Sequence, residues 1–359
     1  MQIKPETAIK FRNGVKMKNR FMLAPLTNQQ SLDNGRLSDD EFHWLTLRAK
    51  GGFGLVMTCA AHVQKIGKGF QGQLGIFSDT LIEDHNRLTS EIQSYGSLAI
   101  IQLHHAGMRS PIDIIKEKAV CPSEIKKHNA RALSLKEVFQ LRDDFISAAK
   151  RAKKSGYNGV EVHGAHGYIL TQFLSSKINQ RQDQYGGSLE NRARLLFEII
   201  DGIRDQCGKD FLIGVRLSPE RFGMQLSEIK NIGQQLIDSQ QIDFLDFSLW
   251  DCFKTPEEYP DSQQNLLEHI LQLNFSNVKV TVAGNIRTGG DVEKVLSTGV
   301  DFVTIGRSGI LHHDFPEKVI ANPDFKPVAN PVSVKYLKTE GLSDTFINYM
   351  RRWEGFVEK

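Results

Sequence analysis

The densest chemistry in this chain lies in six residues, His163-Gly164-Ala165-His166-Gly167-Tyr168. Three side chains able to donate hydrogen bonds within so short a span can grip a carbonyl oxygen and deliver a proton, provided a rigid element aims them at one point. Two histidines also raise a metal site, but His-x-x-His lacks the glutamate of the helical zinc motif, so no metal is expected. A second group suits an anion. Ala283-Gly284-Asn285-Ile286-Arg287-Thr288 and Gly306-Arg307-Ser308-Gly309 offer glycines where backbone N–H groups can approach a phosphate, and Arg307 adds a forked donor. Thr288 followed by Asp291 has the spacing of a helix N-cap, which would add the helix dipole. The plainer alternative is that these glycines only turn the chain. Arg216, within Gly214-Val215-Arg216-Leu217-Ser218, is costly in an apolar strand unless paired, either with an electron-rich ligand or in a salt bridge inside the fold. Gln102, followed by His104, His105 and Arg109, and Thr27 directly after Pro25-Leu26 add further polar candidates, each weak alone.

These side chains need a scaffold, and the hydrophobic pattern supplies one. Short apolar runs at Phe21–Leu26, Gly54–Cys59, Leu98–Leu103, Gly159–His163, Leu212–Leu217, Phe244–Ser248, Val278–Ala283 and Phe302–Ile305 read as strands, and most precede a stretch of helical period. After the fourth, Leu189, Ala193, Leu196, Ile200 and Ile203 draw one apolar helix face. Eight such units without a linker or repeat predict an α/β fold, a (β/α)8 TIM barrel, over residues 1–359 as one domain. Asn13-Gly14 within Lys10–Lys18 predicts a two-residue hairpin capping the barrel's N-terminal end. Barrel active sites lie at the C-terminal strand ends, with phosphate often bound after strands seven and eight, which is where Gly284 and Arg307 fall. Gly67-Lys68-Gly69-Phe70-Gln71-Gly72 matches a dinucleotide fingerprint by letter, but no apolar-periodic helix follows it, so a flexible loop is expected.

Composition narrows the partners. With 45 basic and 42 acidic residues the net charge is +3, and neither sign forms a block that could track nucleic acid. No run approaches the roughly 18 apolar residues of a membrane span, and Met1–Phe11 has no secretory core, so a soluble, cytoplasmic protein is expected. Cys59, Cys121, Cys207 and Cys252 are widely spaced and read as reduced, mostly buried thiols.

Asn19-Arg20-Phe21-Met22-Leu23-Ala24-Pro25-Leu26-Thr27, the His163–Phe173 segment, Asn179-Gln180-Arg181, the Gln184–Arg192 segment, Val215-Arg216-Leu217-Ser218 and Thr304-Ile305-Gly306-Arg307 together resemble the Old Yellow Enzyme family of NADH:flavin oxidoreductases. The likeness spans essentially the whole barrel. It implies non-covalent FMN, reduced by NAD(P)H and reoxidised by an activated alkene such as an enone, with hydride passing through flavin N5 in two alternating half-reactions. Ala24, Pro25, Leu26, Thr27 and Ala60 would face the flavin, with Thr27 at its O4. Gln102, His163 and Arg216 would contact the polar edge of the ring, and Gly284, Asn285, Gly306 and Arg307 would hold the phosphate. His163 and His166 would bind the substrate carbonyl, and Tyr168 would protonate the α-carbon. The chain departs from relatives that add an iron–sulfur cluster and a second flavin domain: it has no cysteine cluster after the barrel. Thr27 stands where a short bacterial branch often has cysteine, and Met108-Arg109 differs from the Arg-Lys pair of some relatives, placing an arginine near the mouth. In some relatives a C-terminal arginine reaches a neighbouring subunit; here Arg351-Arg352-Trp353 reads either so, in a homo-oligomer, or as a surface helix end. Two rivals remain. A phosphate-binding isomerase or aldolase would need a lysine or carboxylate at a strand end, and a flavin store without turnover would be expected to lose His163, His166 and Tyr168 first.

Overall fold

The computed structural model describes residues 3–359. Two short antiparallel strands come first, β1 (Ile9–Lys10) and β2 (Lys16–Met17). The barrel strands are β3 (Phe21–Leu23), β4 (Leu55–His62) and β5 (Leu98–His104), followed, after a small parallel pair β6 (Val120–Cys121) and β7 (Arg131–Ala132), by β8 (Gly159–Gly164), β9 (Leu212–Leu217), β10 (Phe244–Ser248), β11 (Lys279–Ala283) and β12 (Phe302–Ile305). All eight pair in parallel and close, β12 lying beside β3. The fold is the expected TIM barrel.

Strand limits differ from the sequence reading where local chemistry decides. β3 stops at Leu23 because Pro25 cannot donate to a ladder; the last bond is Ala24 N–H to the Ile305 carbonyl at 2.9 Å. β4 runs on to His62 through a shift of register between Met57 and Ala60, a bulge that an apolar run does not announce.

The N-terminal hairpin does cap the barrel, but not by a two-residue turn. Residues 11–15 separate its strands, and of Asn13 and Gly14 only the glycine takes a positive φ (90°), whereas that turn needs two. The longer loop inserts Phe11, whose ring centroid lies 6.3 Å from those of both Phe244 and Phe302. Buried Asp243 fastens it, accepting from Arg12 Nε (2.9 Å), an Arg204 guanidinium nitrogen (2.7 Å) and the Ile213 amide (2.8 Å).

Inside the barrel the layers change character with height. At the bottom Met22, Leu55, Met57, Ile100, Leu212, Phe244 and Phe302 pack on the hairpin. Gly214 makes this possible, since a Cβ there would lie 2.0 Å from the Phe244 ring. Above sits a buried polar layer of Gln102, Glu161, Arg216, Asp246, Thr281 and Thr304. Outside, the Leu189–Cys207 helix buries Ala193, Leu196, Ile200 and Ile203 as its stripe required. The Gly67–Gly72 segment is packed rather than loose: Gly67 abuts His105, its carbonyl accepts the Ala106 amide at 2.9 Å, and Lys68 is buried with Nζ on the Asp33 carbonyl. Among the described residues no helix is long and apolar enough to cross a membrane, and all four cysteines are buried and unpaired.

Candidate active site

β8 ends at Gly164, and His166 (φ 60°) and Gly167 (φ 73°) then turn the chain sharply back. The turn is held by the His166 amide donating to Ser218 Oγ at 3.0 Å and by Arg109 donating to the His166 carbonyl at 2.5 Å. It brings the three candidate side chains together. Ring centroids of His163 lie 5.0 Å from His166 and 5.3 Å from Tyr168, and His104 joins edge-on to Tyr168 at 4.3 Å. The Arg109 guanidinium lies 4.7 Å over the Tyr168 ring, so this arginine belongs to the site as well as its mouth.

Both site histidines are neutral at pH 7. Burial, then Arg216 and Arg109, pushes His166 down to about 3; burial, then His166, His104, Arg216 and Arg109, holds His163 well below the ordinary imidazole range. A neutral imidazole has one N–H, and which nitrogen carries it is set by its partners. His166 Nε2 lies 2.7 Å from Ser248 Oγ, and its Nδ1 lies 3.3 Å from His163 Nε2. A hydroxyl donating to Nε2 leaves the hydrogen on Nδ1, aimed at the gap between the rings. Nothing in the FSLW context of Ser248 signals this role in sequence.

Beside these rings opens a cavity of about 380 Å³ at the C-terminal strand ends. Of the sequence candidates, Ala24, Pro25, Leu26, Thr27, His166, Arg216, Gly284, Asn285, Gly306 and Arg307 form its walls. Ala60, Gln102, His163 and Tyr168 are not among those walls. Gln102 is committed below the floor, donating to Glu161 Oε1 at 2.7 Å. Two details of the anion reading change. Gly284 is glycine because a Cβ would lie 2.9 Å from Cys252, whereas at Gly306 it would meet only Leu26 at 3.8 Å and faces open space. The N-cap is as expected, Thr288 Oγ1 accepting the Asp291 amide at 3.1 Å, but the Asp291 carboxylate takes the Arg287 and Thr288 amides at 3.0 and 2.9 Å and so places its own charge at the helix N-terminus where an outside anion would sit. What remains for a phosphate is Arg307, which donates to Asn285 Oδ1 at 3.3 Å, and Arg287, whose like charge helps to depress the Arg307 pKa after burial does.

The sequence reading also missed the roof. Tyr349, Met350 and Trp353, in and after the Asp344–Met350 helix, line the cavity with Trp250, and the Tyr349 hydroxyl meets Thr27. Arg351 turns outward to the Glu358 carbonyl at 2.8 Å, and Arg352 lies 5.4 Å over the Tyr349 ring.

The donor set fits a flavin nucleotide. Three arginines and no carboxylate line the cavity, and Arg216 Nε and His163 Nδ1 are buried without a hydrogen-bond partner. Arg216 Nε lies 3.3 Å from Asp246 Oδ2, so the arginine is tied to the layer below while it also lines the cavity. Among the described residues no cluster of His, Cys, Asp and Glu could hold a metal ion. Glu161 and Asp246 are carboxylates in strands, but both are fully buried beneath the floor, where an isomerase base could not reach a substrate.

Comparison with known proteins agrees. Residues 7–323 match the NADH:flavin oxidoreductase / NADH oxidase family. A probable NADH-dependent flavin oxidoreductase of Bacillus subtilis is 32% identical over 320 residues, 86% of each chain. The Zymomonas mobilis old yellow enzyme homologue superposes with a TM-score of 0.80 at 26% identity, covering 95% of this chain and 99% of that one. Morphinone reductase in complex with tetrahydroNAD also gives 0.80, at 25% identity, over 95% and 96%. The chain thus belongs to the NADH:flavin oxidoreductase / NADH oxidase family in its Old Yellow Enzyme form, an oxidoreductase that carries FMN and draws electrons from NAD(P)H.

Proposed function

We propose that this enzyme reduces the C=C bond of α,β-unsaturated carbonyl compounds in two alternating half-reactions. The convergence of two neutral imidazoles and a phenol beside the arginine-lined cavity carries the reading. When bound, FMN would supply the hydride chemistry that links nicotinamide to alkene. His163 from Nε2 and His166 from Nδ1 donate to the carbonyl oxygen and stabilise the enolate-like charge that grows there, leaving His163 Nδ1 an acceptor; being neutral, they do so without protonating it. Tyr168 delivers the proton to the α-carbon. Ala24, Pro25, Leu26 and Thr27 from the cavity wall, with Ala60, would bear on the ring, His163 and Arg216 would meet its polar edge, and Gly306 and Arg307, with Gly284, Asn285 and Arg287 beside them, would hold the phosphate.

The test is anaerobic titration of the purified yellow protein. NADH or NADPH should bleach it and 2-cyclohexenone should restore the colour. A protein bleached by nicotinamide but indifferent to enones would refute the alkene assignment and leave the family assignment intact. The role of Ser248 gives a finer check. Ser248→Ala removes one hydrogen bond and frees the His166 tautomer, worth roughly 1 kcal/mol, so the enone half-reaction should slow about fivefold with flavin content unchanged. An unaltered rate constant in stopped-flow reoxidation would rule that role out.

A further inference from the structure

Under the cavity floor lies a charged group that the reaction above does not use. Glu161 on β8 and Asp246 on β10 are fully buried and their carboxyls meet across β9. Gln102 donates to Glu161 Oε1, and Asp246 has only the Thr304 hydroxyl and Arg216 Nε, at 3.3 Å, near it, neither aligned as a full hydrogen bond, while Glu161 Oε2 has no donor at all. The register sets Arg216 opposite both His163 and Asp246. Facing the pair are Gln102 from β5, His163 from β8, Arg216 from β9, and Thr281 and Thr304 from β11 and β12, whose hydroxyls lie 2.8 Å apart; β3 and β4 contribute only apolar Met22 and Met57 to the layer beneath. His163 is neutral, so Arg216 is the one full charge in that shell.

Two carboxylates in contact and fully buried cannot both stay ionised against one arginine. A single proton between them would satisfy the orphaned oxygens and leave one negative charge to balance Arg216. We propose that Glu161 and Asp246 are positioning residues that share one proton, hold Arg216 at the cavity floor, and keep or take up that proton in answer to negative charge arriving above it. The inference rests on the reading that Arg216 meets the flavin ring. Two-electron reduction of FMN with one proton adds one negative charge beside Arg216. Where the pair has already lost its proton, that charge draws one back from solvent, so reduction consumes two protons per two electrons instead of one. Burial, and then the neighbouring Asp246, pushes Glu161 up to about 8, which places the change in slope near that pH.

The experiment is the midpoint potential of the FMN-loaded enzyme from about pH 7 to about 9.5, with an infrared spectrum of the protein stripped of flavin. The slope against pH should double near pH 8 in the wild type and stay single in Glu161→Gln and Asp246→Asn. The stripped wild type should show a buried carboxylic-acid C=O band that is missing in Glu161→Gln. A band that is absent, or a break in slope that survives Glu161→Gln, overturns the proposal. Arg216→Lys separates the two layers of argument. If it leaves FMN affinity and potential unchanged while the acid band persists, the placement of the flavin over Arg216 is wrong and the shared proton stands.

Discussion

Tyr168→Phe is expected to slow reoxidation by an enone by about a hundred- to ten-thousand-fold, the usual worth of a positioned general acid, while reduction by nicotinamide proceeds near the wild-type rate. The asymmetry follows from where a proton is needed. Hydride transfer from the nicotinamide requires no proton from the protein, whereas the α-carbon of the alkene must receive one. Phenylalanine keeps the ring that packs edge-on to His104 and beneath the Arg109 guanidinium, so the turn after β8 should survive. Single-turnover stopped-flow absorbance reads both half-reactions separately. Equal losses in the two would assign Tyr168 to binding, and no loss in either would remove it from the chemistry.

The second large effect is loss of stability in mild acid. Burial is the first cause of lowered pKa at His62 (about 4), His105 and His166 (each about 3), and at His104 and His163, both well below the ordinary range. Each has a folded pKa below its unfolded value near 6.5, so below that pH the unfolded chain binds protons that the folded chain refuses. Stability present above about pH 6.5 is therefore lost as pH falls toward 4, by up to about 1.4 kcal/mol per histidine per pH unit. Raised acids oppose this: Glu41, Glu161 and Asp246 hold protons in the fold that the unfolded chain releases above its carboxylate range. Buried His85 is lowered in the same way and partly buried Asp201 is raised, so six refusing histidines face four acids, two of which share a site, and the net slope is acid-labile. Urea midpoints at pH 7 and pH 5 decide it. A midpoint equal or higher at pH 5 would mean that some of these imidazoles are hydrated in solution.

The architecture was legible because a two-faced buried strand and an amphipathic helix each write their own period. The stripe from Ala193 to Ile203 and the five-residue run at Phe244–Ser248 are where the pattern placed them. The turn holding His163, His166 and Tyr168 was legible because its donors are contiguous. Tyr349 and Ser248 were not, since each reaches the site through closure of the barrel rather than through neighbours in sequence. Glu161 was overlooked two positions before His163 because a lone acid in an apolar strand reads as a surface residue until its partner, 85 positions away, is known to face it. The hairpin turn was misread because Asn13-Gly14 carries a local preference that insertion of Phe11 overrides.

The joint between β3 and β12 has a consequence for how the protein is made. Arg20 accepts the Val303 amide at its carbonyl and donates from its guanidinium to the Asp301 carbonyl, at 2.9 and 2.8 Å, so segments synthesised first and almost last must find one another. Until β12 leaves the ribosome, β3 and β11 remain open edges, ready to pair with other chains. Ala24–Thr27 and Gly306–Arg307 flank that joint on the cavity side. FMN seated there would act as a clasp on a ring that closes late, and its stabilisation would grow with the free flavin concentration. A cell short of riboflavin would then keep fewer finished chains closed, because the joint, once made, would reopen more often.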